Sequence, residues 1–120
     1  VIPGSTFWNG WTEYPFSTTN WGPRPLGVQV LSLAYTSGAA WNESGHVNPE
    51  FDAKLAEASG VFDPDKRRAL MEDLERMLQD SGAMIQPYWY SLTLHHVAAV
   101  KNVTRHQFRE MHLENVWIDA

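Results

Sequence analysis

The chain has 120 residues, fourteen Asp and Glu against nine Lys and Arg, and a formal net charge of −5 at neutral pH. Its 43% hydrophobic and 19% charged residues describe one ordinary globular domain, able to bury about two thirds of the surface its unfolded chain exposes. The negative balance argues against a nucleic-acid partner, no apolar run is long enough to span a bilayer, and the lack of Cys excludes disulfides, thiolate zinc sites and thiol nucleophiles.

The chain opens Val1-Ile2-Pro3-Gly4, with neither an initiator Met nor a signal peptide, which reads as a processed terminus or a cut inside a longer chain. Residues 5–12 predict a short helix or turn, with Ser5 as cap and Phe7, Trp8 and Trp11 on one stripe, ended by Pro15. Residues 16–21 are β-prone and close in the loop Gly22-Pro23-Arg24-Pro25. Residues 26–35 carry an ambiguous periodicity. Leu31, Ala34 and Tyr35 suit a helix, while Val28 with Val30 and Leu31 with Leu33 suit a strand; helix is the reading adopted.

Residues 36–47 form a polar loop carrying Trp41-Asn42-Glu43, long enough to suggest a functional surface. Asn48-Pro49 and Asp63-Pro64 then give the same start signal twice, an N-cap followed by Pro at the first helical position. The first helix puts Phe51, Leu55 and Ala58 on one face; the second puts Leu70, Met71, Leu74, Met77 and Leu78 on one stripe and stops at Gly82. Glu72 and Arg76 pair across one turn of its outer face, worth only about 0.2–0.5 kcal/mol.

Beyond this helical hairpin, residues 84–97 alternate as a strand, with Tyr88, Tyr90, Leu92 and Leu94 on one side and Pro87 near the start. Residues 100–103 suit a crossing strand or a linker, and residues 115–118 a final short strand. The class expected is α+β, with a helical hairpin packed on a few short strands.

Catalytic and metal patterns are missing. His95 and His96 are adjacent, so on a strand they point to opposite faces; His106 and His112 flank Glu110 at a spacing unlike common zinc sites. No G-x-S-x-G occurs, and Glu72, Asp73 and Glu75 sit on a solvated helix face. No catalytic residue, metal or cofactor is therefore expected. The two sequons at Asn42 and Asn102 matter only in a glycosylating secretory pathway.

The six Trp carry more information. Trp8, Trp11 and Trp89 fall in predicted regular elements and are expected mostly to fill the core. Trp21 and Trp41 lie at loops rich in Gly, Pro and Asn, where a flat ring beside hydrogen-bonding groups suits a ligand wall. Arg24 sits between two prolines that stiffen its backbone, which suits either capture of a carboxylate or phosphate or a structural ion pair. The candidate binding residues are Trp21, Arg24, Trp41 and Asn42.

A further pattern runs in order along most of the chain. It comprises Trp21-Gly22-Pro23-Arg24-Pro25-Leu26, Ala34-Tyr35, Ser37-Gly38, Trp41-Asn42-Glu43, Asn48-Pro49-Glu50-Phe51-Asp52 with Leu55 and Glu57-Ala58, Asp63 with Lys66-Arg67-Arg68, and Gln86-Pro87-Tyr88-Trp89. This order resembles the C-terminal part of the family 5 extracellular solute-binding proteins, which serve peptide, dipeptide and nickel ABC importers. Members are several times longer and fold as two-lobed α/β clamshells.

The resemblance implies a fragment, with residues 1–97 in the later part of the C-terminal lobe and residues 98–120 returning toward the first lobe. It implies a periplasmic or lipid-anchored extracellular location, a peptide or other small solute, and ABC permease subunits as partners. Self-association of such a cut lobe is expected through the apolar surface it would expose. In peptide-binding members a Gly-Trp loop here commonly supplies an Asp for the ligand's α-ammonium. This sequence has Arg24 at or near that position, which implies an anionic solute group or a structural ion pair instead. The alternative function is a stand-alone Trp-rich module of the carbohydrate-binding type, and a third is a small metal-assisted hydrolase using the histidines.

Overall fold

The computed structural model of the chain describes residues 2–89, 91–106 and 110–119. It comprises two compact units, Val1–Ile85 and Gln86–Ala120. The first is helical: α1 (Gly4–Gly10), α2 (Gly27–Ala34), α3 (Pro49–Gly60) and α4 (Pro64–Ser81). The second has, among the described residues, a single two-residue ladder of β1 (Val100–Lys101) and β2 (Trp117–Ile118), with a turn of 3₁₀-helix at Leu113–Asn115 before β2. The mixture of helices with a little sheet is compatible with the expected α+β class. No helix among the described residues is long and apolar enough to cross a membrane.

The start signals of α3 and α4 act as their chemistry requires. Asn48 accepts from the amides of Glu50 and Phe51 at 3.0 and 3.2 Å, and Asp63 from those of Asp65 and Lys66 at 2.9 and 3.1 Å. Each cap satisfies amides that have no partner within the helix, and the proline behind it needs none. Gly82 ends α4 at φ +67°, a left-handed conformation that suits glycine, and its amide reaches Gln79 O at 3.4 Å. The ambiguous stretch is helical. Its entry has no side-chain cap, but the Gln29 carbonyl reaches back to accept from the Leu26 amide at 3.1 Å.

The core lies among α2, α3 and α4. Val28, Leu31, Ala34 and Tyr35 meet Phe51, Leu55 and Ala58 on α3 and Leu74 and Leu78 on α4, with Trp21, Leu70, Met71, Met77 and Met84 packed around them. The hairpin's apolar face is thus filled by α2, where the sequence suggested short strands. Across its outer surface Lys54 Nζ bonds Asp73 Oδ2 at 2.7 Å, tying α3 to α4.

Three expectations are corrected. Pro3, not Ser5, occupies the cap position of α1, and no side-chain cap bond forms there. Residues 16–21 form no strand. The described part of 84–97 is also irregular; Tyr90 lies outside the described residues. Alternation provides the side-chain pattern of a strand, but a strand exists only when a neighbour takes up its backbone groups, and no described segment does so there. The ladder that forms pairs Val100 with Ile118 and Lys101 with Trp117, with Asp119 N donating to Ala99 O at 2.8 Å.

Candidate ligand-binding site

Within the first unit a cavity of about 340 Å³ is lined by Trp8 and Trp11 from α1 and its C-terminal turn, by the segment Thr19–Gly22 and Arg24, and by Trp41. Four of the six Trp converge on it. The sequence predicted core positions for Trp8 and Trp11. Instead Trp8 is 55% exposed and α1 buries no residue at all. Their spacing did place them on one stripe, and the rings meet edge to face at 5.5 Å, but that stripe faces the cavity. Trp89 is 89% exposed and belongs to the other unit.

The far wall depends on the loop of residues 36–47, which is tied at its base and through its middle. Ser37 donates its amide to Asp52 Oδ1 at 3.0 Å, and its hydroxyl oxygen accepts from the Asn48 amide at 3.1 Å. Asn42 bonds in four directions. Its Nδ2 donates to Thr36 O at 3.1 Å and His46 O at 2.7 Å, while its Oδ1 accepts from Ser44 Oγ at 2.8 Å and the His46 amide at 3.3 Å. All the hydrogen-bonding capacity of that amide is therefore engaged within the loop. Asn42 shapes the wall and does not line the cavity.

Glu43 then couples the two walls. Its Oε1 accepts from Trp21 Nε1 at 3.1 Å and from the Thr19 hydroxyl. Trp21 and Trp41 consequently stand 6.0 Å apart at 52°. With its N–H engaged, the Trp21 indole offers ring surface rather than a donor. Glu43 Oε2 is buried with no partner among the described residues. The carboxylate is also felt by Tyr35, whose phenol is pushed above its ordinary pKa chiefly by burial and secondarily by the Glu43 charge.

Arg24 lies at the edge of the cavity, exposed, with Nη1 donating to Pro23 O at 3.2 Å. It makes no ion pair among the described residues, so the structural-pair reading of its sequence has no partner here. Of the four residues predicted to bind, the fold brings Trp21, Arg24 and Trp41 together. Asn42 stands behind them, and Glu43, its sequence neighbour, is the residue that sequence reasoning missed. An acid directly after Trp-Asn in a loop was the only available signal.

One metal-capable group occurs among the described residues, in the second unit: donor atoms of His106, Glu110 and His112 lie within 4.8 Å of one another. His106 Nδ1 is 3.7 Å from Glu110 Oε2, and the two rings meet edge to face at 5.3 Å. His112 Nδ1 is 2.9 Å from Glu114 Oε1, and a backbone N–H bond followed by this imidazole holds the Glu114 carboxyl below its ordinary range. His106, Glu110 and His112 all lie outside the helices and strands of the described residues.

No family model and no solved structure matches the chain. Among curated proteins it is 28% identical over 107 residues to the dipeptide-binding protein DppE of Bacillus subtilis strain 168. That alignment covers 89% of this chain and 19% of DppE, so the chain spans about a fifth of the relative's length. The similarity is distant. It points toward solute-binding proteins, and the relative's name describes binding rather than a reaction.

Proposed function

We propose that this chain supplies part of one wall of the cleft in the solute-binding component of an ABC importer, and that the solute is a peptide. The observation that carries the reading is the cavity where Trp8, Trp11, Trp21 and Trp41 surround neutral polar groups and one cation. Flat apolar faces with a few fixed polar groups make a binding surface, and among the described residues no nucleophile–base pair lines the cavity beside them. The distant similarity to a dipeptide-binding protein supports the solute class.

In this reading the chain is a family 5 solute-binding fragment. Residues 1–97 belong to the later part of the C-terminal lobe, and residues 98–120 return toward the first lobe. Trp21, Arg24 and Trp41 touch the solute, while Asn42 and Glu43 hold the wall that presents two of them. The mechanism is non-covalent. The solute binds the closed form of the two lobes better than the open form and shifts the population toward closure, and the closed form is delivered to membrane permease subunits. The protein works outside the cytoplasmic membrane, periplasmic or lipid-anchored, and needs no cofactor.

The test is calorimetric titration of the full-length protein carrying this chain with a panel of dipeptides and tripeptides, and with maltotriose and cellotriose. Saturable binding of peptides, recovered unhydrolysed, is the expected result. Binding of the oligosaccharides alone would favour the Trp-rich carbohydrate module, and binding of neither class would overturn the reading.

A further inference from the structure

Resting on the peptide-binding reading, we infer that Arg24 anchors the free α-carboxylate of the ligand, so that the peptide's C-terminal residue is the one held in the Trp-lined cavity. Among the described residues, Arg24 is the only charged side chain lining that cavity. Its one hydrogen bond runs to the carbonyl of Pro23, which leaves most of its five N–H donors free, and no acid among the described residues pairs with it. Pro23 and Pro25 restrict the backbone on both sides, so the guanidinium starts from a limited set of positions. A planar fork of N–H groups so placed matches a carboxylate.

The acid closest to this wall in the hydrogen-bond network does not compete. Glu43 lies outside the lining, and its Oε1 already accepts from Thr19 and Trp21. The lining itself therefore carries one charged group among the described residues, a guanidinium, whose sign and shape suit a carboxylate. With the Trp21 N–H and the Thr19 hydroxyl both donated to Glu43, Arg24 is the charged group of the lining open to polar recognition.

The layout agrees with a terminal residue. In a C-terminal residue the carboxylate and the side chain diverge from one Cα, which matches a cation beside flat aromatic faces.

The experiment compares Ala-Phe with its C-terminal amide on the full-length protein, by calorimetry, for wild type and for Arg24→Gln and Arg24→Lys. The wild type is expected to bind the acid at least about tenfold more tightly than the amide, the equivalent of one charge-assisted interaction. Arg24→Gln should bring the acid down to the level of the amide while changing the amide's affinity much less; Arg24→Lys should keep part of the preference. Equal binding of acid and amide by the wild type would overturn the anchor while leaving the peptide reading intact. An acid preference that persists in Arg24→Gln would place the anchor elsewhere and overturn the inference. Failure of both probes to bind would remove the peptide reading, and this inference with it.

Discussion

Glu43 is the residue on which the geometry of the site turns. One carboxylate oxygen receives the Trp21 indole and the Thr19 hydroxyl, and the residue itself stands two positions after Trp41. Replacing it with Ala leaves a part-buried indole N–H and a hydroxyl without their acceptor, at a cost of about 1–3 kcal/mol. Glu43→Gln keeps a carbonyl oxygen at the same place. We therefore expect Glu43→Ala to lower the thermal midpoint and weaken ligand binding, with Glu43→Gln retaining most of both, as read by thermal unfolding and titration. Equal behaviour of the two variants would deny Glu43 its positioning role. At this scale Trp21, Arg24 and Trp41 are legible in the sequence because Gly, Pro and Asn mark the segments that carry them. Trp8 and Trp11 mislead because a helical stripe looks the same whether it faces a core or a cleft. Glu43 is invisible because a loop acid acquires its role only from Trp21 and Thr19, more than twenty residues earlier in the chain.

At the scale of elements, the hairpin of α3 and α4 is the most legible part, because its ends are specified chemically. Asn48→Ala and Asp63→Ala each remove a side chain that accepts two otherwise unpaired amides. Each should cost about 1 kcal/mol in denaturant unfolding, the usual value of a cap. The bond between Lys54 and Asp73 adds a pH dependence. It holds the Asp73 carboxyl below its ordinary value, first through the hydrogen bond and then through the charge, and the same hydrogen bond is the largest cause raising Lys54. A carboxyl depressed in the folded state stabilises above its unfolded pKa, and that contribution disappears as the pH falls through the lowered folded value. Acid unfolding of Asp73→Asn should therefore converge on wild type at low pH and differ from it near neutrality; a constant difference at all pH values would contradict this. The segment 84–97 shows the limit of local reading. Its alternation is real in sequence, but pairing is a property of two segments, and a single segment's pattern cannot show whether a partner is there.

At the scale of the whole molecule, the helical unit buries a core around Phe51 and Leu74, whereas the second unit leaves Trp89, Trp117 and Ile118 largely exposed. Phe16 and Phe62 on the first unit are exposed as well. A mixture of helices with a little sheet, compatible with the α+β class, is legible from periodicity. That the described residues of the first unit include no strand to cover the hairpin is not, since a helix's apolar stripe does not say whether a helix or a sheet will cover it. If the chain forms part of one wall of a cleft, the affinity of the complete protein depends on closure over the Trp cluster. That dependence is tested most directly by following tryptophan emission while the full-length protein is titrated with Ala-Phe, for wild type, Trp21→Ala and Trp41→Ala. Trp89→Ala, at an exposed position of the other unit, serves as the control. A saturable change in emission is expected for wild type and Trp89→Ala, with affinity reduced about tenfold or more in both Trp21→Ala and Trp41→Ala. Wild-type affinity in Trp21→Ala and Trp41→Ala would show that the Trp cluster is not the wall on which the solute is held.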